Sequence, residues 1–123
     1  MKPFLYYMAP AVLYAVLVLV LSLLPDTGGP SHGWDKANHF IAYAVMSFLF
    51  MRAAAAEGVS SARSAIAAVG AATLFGIGVE FLQSLTPTRQ ADALDALANT
   101  LGALLGAALF SFIKYRAEVK RCL

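Results

Sequence analysis

Of 123 residues, 60% are hydrophobic and 13% are charged, and the mean hydropathy is +0.72, too apolar for a water-soluble domain of this size. The length fits one domain, 1–123, and excludes a separate soluble catalytic module, while nine Lys and Arg against seven Asp and Glu are too balanced for a nucleic-acid footprint, so no nucleic-acid partner is expected. A single cysteine, Cys122, excludes an intramolecular disulfide and a cysteine-built metal site.

No charged residue occurs between Pro3 and Pro25, and 4–24 is long enough for the ~20 residues that cross a hydrocarbon layer. This apolar stretch exceeds the roughly 7–15 residues of a signal-peptide core, and no A-x-A site follows, so it is read as a membrane helix. Pro25, Gly28, Gly29, Pro30 and Gly33 then predict a loop, with Trp34 at an interfacial position. A second span covers 37–56, with His39 near its start and Arg52 near its end, where a long side chain can snorkel to the interface.

Residues 57–64, EGVSSARS, read as a turn between helices. A third span follows at 65–85, interrupted by Thr73, Glu80, Gln83 and Ser84, of which the last three gather at its end. Pro87 and the TRQAD segment make a short connection to a fourth span at 93–113, which carries Asp95 and Asn99 in its first turns and is closed by a basic tail, Lys114 to Arg121. The fold class expected is all-α, an integral membrane four-helix bundle. Its Ala- and Gly-rich helices suit close packing in lipid.

Seven basic residues, Lys2, Arg52, Arg63, Lys114, Arg116, Lys120 and Arg121, belong to one side of such a bundle, and only Lys36 and Arg89 to the other. Both termini are therefore expected in the cytoplasm, in a multi-pass protein of the inner (cytoplasmic) membrane. Asp26, Asp35, Glu80, Asp92 and Asp95 fall on the opposite, outer side.

Ionisable residues are costly in a membrane helix and usually face the bundle interior, so their spacing carries information about function. Asp35, His39 and Tyr43 stand at i, i+4 and i+8, with Lys36 three residues before His39. Glu80 and Gln83 share a face of the third span. Asp92, Asp95, Asn99, Gly102 and Gly106 step by three and four along the fourth, as a seam whose glycines admit a neighbouring backbone. At 1.5 Å per residue, Glu80 lies roughly 7–8 Å inward of Leu85 and Asn99 about 9 Å inward of Ala93, just below one interface.

Three stretches, DKANHFIAY (Asp35 to Tyr43), EFLQ (Glu80 to Gln83) and RQADALDALANTLGALLG (Arg89 to Gly106), resemble the VanZ-like membrane proteins, as do the number and order of the spans. The resemblance covers nearly the whole chain. It implies Asp35, Lys36, His39, Tyr43, Glu80, Gln83, Arg89, Asp92, Asp95 and Asn99 as the recurring polar set, followed by Gly102 and Gly106. Gln90 and Ala91 stand where the family often has a hydroxyl or aromatic residue. The resemblance also implies a part in glycopeptide resistance, as reduced sensitivity to teicoplanin, and supplies no reaction.

Several of these residues have structural readings. His39 can bond Asp35 at a helix start, or act as a proton carrier or metal ligand. Glu80 and Gln83 can clasp two helices or face a ligand. Asp92 fits an N-cap of the fourth helix. Lys36 and Arg89 can balance the acids or bind phosphate. Three functions follow. The favoured one is an outward-facing pocket that binds a membrane lipid or a lipid-linked or amphiphilic envelope precursor, with Arg89 and Lys36 for anionic groups. The second is a membrane-embedded enzyme acting near a lipid phosphate, with His39, Glu80 and Asp95 as candidate catalytic groups and carboxylates available to hold a metal. The third is a structural partner of another membrane protein. The sequence fits no H-E-x-x-H or Walker signature, assigns no metal site, and leaves the cofactor unknown.

Overall fold

Apolar runs that enter lipid must satisfy every backbone polar group internally, and all four spans do so as α-helices. In the computed structural model, which describes residues 2–25, 32–88 and 90–123, these are α1 (Lys2–Leu23), α2 (His32–Ala56), α3 (Ser61–Ser84) and α4 (Ala93–Cys122). The side chains of residues 2, 3 and 32–34 lie outside that description, as do Asp26, Gly28, Gly29 and Pro30 of the expected loop and the whole of Arg89. All four helices are long and apolar enough to cross a membrane.

The helix ends differ from the sequence reading in three places, each for a local reason. α2 begins at His32, so Gly33 and Trp34 belong to its first turn and not to the loop. α3 begins at Ser61, because Ser60 takes an extended conformation and its hydroxyl accepts the Arg63 N–H at 3.5 Å, which confines the turn to Glu57–Ser60. α4 runs through the basic tail to Cys122. Lys and Arg are good helix formers and favour the negative end of the helix dipole, and Lys114 and Glu118 approach to 4.0 Å across one turn.

α2 is the central element. It packs against the other three helices, and α3 also touches α1 and α4, whereas α1 and α4 do not meet among the described residues. Tyr43, Met46 and Met51 of α2, Ala68, Ala72 and Val79 of α3, and Ala103 and Ala107 of α4 form the buried core. The closest approach is between α2 and α4. A Cβ at Gly102 would run into the Phe40 backbone carbonyl, and one at Gly106 into that of Ala44, so this crossing requires glycine at both positions. Large apolar side chains such as Leu13, Ile66, Leu74 and Phe81 point outward, the arrangement expected where lipid is the solvent.

The Arg52 guanidinium lies over the Tyr7 ring, 4.7 Å from the centroid, and ties α2 to α1. At the opposite end, the Gln83 side-chain amide donates to the Ser22 carbonyl at 2.8 Å and ties α3 to α1. The end of α1, the start of α2, the end of α3 and the start of α4 thus meet at one end of the bundle.

Candidate functional site

Asp35, His39 and Tyr43 do share one face of α2, and the helices packed against that face supply their partners. The Nδ1–H of His39 donates to Asn99 Oδ1 of α4 at 2.9 Å, so in the neutral ring Nε2 is the nitrogen that carries a lone pair. That nitrogen faces two carboxylates, Asp95 Oδ2 at 3.7 Å and Asp35 Oδ1 at 3.9 Å, both beyond hydrogen-bonding distance. The close partner of His39 is therefore Asn99, and Asp35, one of the readings its spacing offered, stands farther off at 3.9 Å.

Lys36 is committed to the acids of α4. Its ammonium donates to Asp92 Oδ2 at 3.0 Å and to Asp95 Oδ1 at 3.3 Å. As a carrier of positive charge for an anionic ligand it is thus largely neutralised. Asp92 has the N-cap role read from the sequence, since Oδ1 accepts the Leu94 N–H at 2.9 Å. Its own N–H donates to Glu80 Oε2 at 3.1 Å, which links the ends of α3 and α4. Glu80 and Gln83 therefore both clasp helices, Glu80 to α4 and Gln83 to α1.

Among the described residues, burial leaves several polar atoms without hydrogen-bond partners. They are the Tyr43 hydroxyl, the Ser47 hydroxyl one turn deeper on the same face, Glu80 Oε1 and Asn99 Nδ2. Unpartnered groups of this kind are expensive in a packed interior and mark where a ligand or water would be held. The Tyr43 ring stacks near His39, with centroids 6.4 Å apart and planes 16° from parallel, and also touches Phe75 of α3.

A cavity of about 320 Å³ lies between α1, α2 and α3 at this end. Val18, Leu21 and Ser22 of α1 form one wall, and Asp35, Asn38, His39, Ala42 and Tyr43 of α2 with Gln83 of α3 form the other. Four of the residues singled out in the sequence, Asp35, His39, Tyr43 and Gln83, line it directly. Lys36, Asp92 and Asp95 stand in the ion-pair cluster between α2 and α4, and buried Glu80 links α3 to the start of α4 while buried Asn99 links α4 to α2. Arg89 lies outside the described residues. The sequence reading missed Asn38 and the α1 wall. Asn38 follows Asp35 by three residues and was detectable by that spacing, whereas Val18 and Leu21 look like any other lipid-facing residues.

The family model described as VanZ/LLP1 matches residues 15–114. The chain belongs to the VanZ/LLP1 family. The match takes in the second part of α1 and all of α2 and α3, and it reaches Lys114 of α4, so every described residue of the site lies within the VanZ/LLP1 region. Comparison with curated proteins finds no match, and comparison with solved structures finds none.

Proposed function

We propose that this VanZ/LLP1 protein binds a lipid-linked or amphiphilic molecule of the cell envelope in the cavity between α1, α2 and α3. The lining carries the reading. One wall is the apolar α1, and the other offers a carboxylate, two amides, an imidazole and an unpartnered phenol, a two-sided surface that suits a molecule with an apolar tail and a hydrogen-bonding head. A volume of about 320 Å³ accommodates part of a headgroup and not a whole precursor. Hydroxyls and amides of a sugar or peptide portion match Asn38, His39, Tyr43 and Asp35, and recognition of an anionic group would fall to Arg89.

The distribution of basic residues supports an orientation in the inner membrane with both termini in the cytoplasm and the cavity outward. Capture of a cell-wall precursor there is the route by which the protein would lower teicoplanin sensitivity. Binding is favoured over acid–base catalysis because His39 lines the cavity whereas Glu80 does not, its Oε2 being occupied by the Asp92 N–H.

Mass spectrometry of lipid retained in detergent-free particles tests the proposal. Wild type should be enriched in one amphiphile relative to the surrounding membrane, and Ala42→Leu, which fills the cavity without touching its polar groups, should lose that enrichment and restore teicoplanin sensitivity. Retained lipid matching the bulk membrane in both proteins would refute the reading.

A further inference from the structure

We infer that Asp35, His39 and Asp95 form a binding site for one divalent transition cation of the Zn²⁺ or Mn²⁺ class, held between α2 and α4 at the edge of the cavity. Each of the three offers one ligand atom, and these atoms lie within 4.8 Å of one another. The two edges at His39 Nε2, 3.7 and 3.9 Å, exceed by about half an ångström the ~3.3 Å edge of a tetrahedron with bonds of 2.0–2.1 Å. The edge between the two carboxylates is within 4.8 Å, so both carboxylates would move inward on the ion to close the triangle.

The groups behind the ligands are arranged as they are in metal centres. Asn99 accepts the Nδ1–H of His39, which fixes the ring and turns the Nε2 lone pair towards the carboxylates. Lys36 takes Asp95 Oδ1 and leaves Oδ2 facing His39.

A separate observation concerns access and further ligands. Asp35, His39 and Tyr43 line the cavity, and Tyr43 is only 1% exposed, its hydroxyl having no hydrogen-bond partner among the described residues. With three protein ligands the ion keeps at least one open position for a water or a ligand oxygen, and Asp35 and His39 put the cavity beside it. One imidazole with two carboxylates suits Zn²⁺ or Mn²⁺ better than Ca²⁺, which takes oxygen ligands alone.

The site is independent of the envelope-molecule proposal, because metal is titrated in the absence of any added ligand. Full-length protein, stripped with chelator and held in lipid nanodiscs, is titrated with Zn²⁺ and, separately, with Mn²⁺ followed by electron paramagnetic resonance. About one ion per chain should bind, and His39→Gln and Asp95→Asn should each weaken binding about tenfold or more. Glu57→Gln, at the other end of the bundle, should bind as wild type does. Asp35→Asn decides the matter if the two buried variants fail to fold, since the Asp35 side chain is half exposed and its loss is readily tolerated. No stoichiometric binding by folded wild type, or unchanged binding by folded Asp35→Asn, overturns the site.

Discussion

Replacing Gly102 by Ala tests the α2–α4 crossing on which the cluster depends. The added Cβ would stand 2.9 Å from the Phe40 carbonyl carbon and 3.0 Å from its Cα, and closer still to the carbonyl oxygen. These carbon contacts are at least about 0.5 Å shorter than the ~3.5 Å at which two carbons rest. The obstacle is helix backbone and cannot rotate aside, so α2 and α4 must part. Overpacking of this kind costs about 1–3 kcal/mol. Gly78→Ala is the control, because nothing lies within 4 Å of a Cβ there. Thermal unfolding in one detergent should show Gly102→Ala clearly destabilised and Gly78→Ala unchanged or slightly stabilised. The same separation should loosen the His39–Asn99 hydrogen bond, visible as a shift of the His39 ring resonances in NMR. Equal unfolding of the two variants would refute the close approach, and with it the argument that glycine sets the distance between the ligand-bearing helices.

Two further outcomes follow from contacts elsewhere. Arg52→Gln and Tyr7→Leu, measured singly and together by unfolding, should show a coupling of about 0.5–2 kcal/mol if the guanidinium stacks on the ring, and none if Arg52 reaches for lipid headgroups. Asp92→Asn keeps the helix cap and gives up an ion pair whose side chains are 35% and 42% exposed, so it should unfold like wild type, whereas Asp92→Ala should lose about 1 kcal/mol. Equal loss in both variants would show that the ion pair, and not the cap, is what Asp92 contributes.

Periodicity and hydropathy made the four helices readable, along with the face on which Asp35, His39 and Tyr43 stand and the glycine seam at Gly102 and Gly106. They could not give the rotation of one helix against another. Spacing alone therefore offered His39 the partner Asp35, its neighbour one turn away, when the closer partner is Asn99 on another helix. For Lys36, spacing left open whether it balances acids or binds phosphate, and α4 brings Asp92 and Asp95 beside it. The acceptor for Gln83 is a backbone carbonyl, that of Ser22, which no side-chain pattern can reveal. The early end placed on α4 has a different origin. Charge marks where a helix leaves hydrocarbon, but it does not stop residues with good helical propensity from continuing the helix beyond it.

That continuation turns α4 into a ruler for the bilayer. At 1.5 Å per residue its 30 residues measure about 45 Å, more than the ~30 Å of hydrocarbon. Asp95 in its first turn and Lys114, nineteen residues on, are about 28 Å apart along the axis, nearly the thickness of that layer. Were one to lie at each boundary, the last turns of α4 would stand clear of the bilayer as a basic post, and the acidic cluster would sit level with the headgroups of the surrounding lipids. Small solutes can then approach the cluster from water without crossing hydrocarbon, and a tailed molecule can present its head there while its chain stays at its ordinary depth.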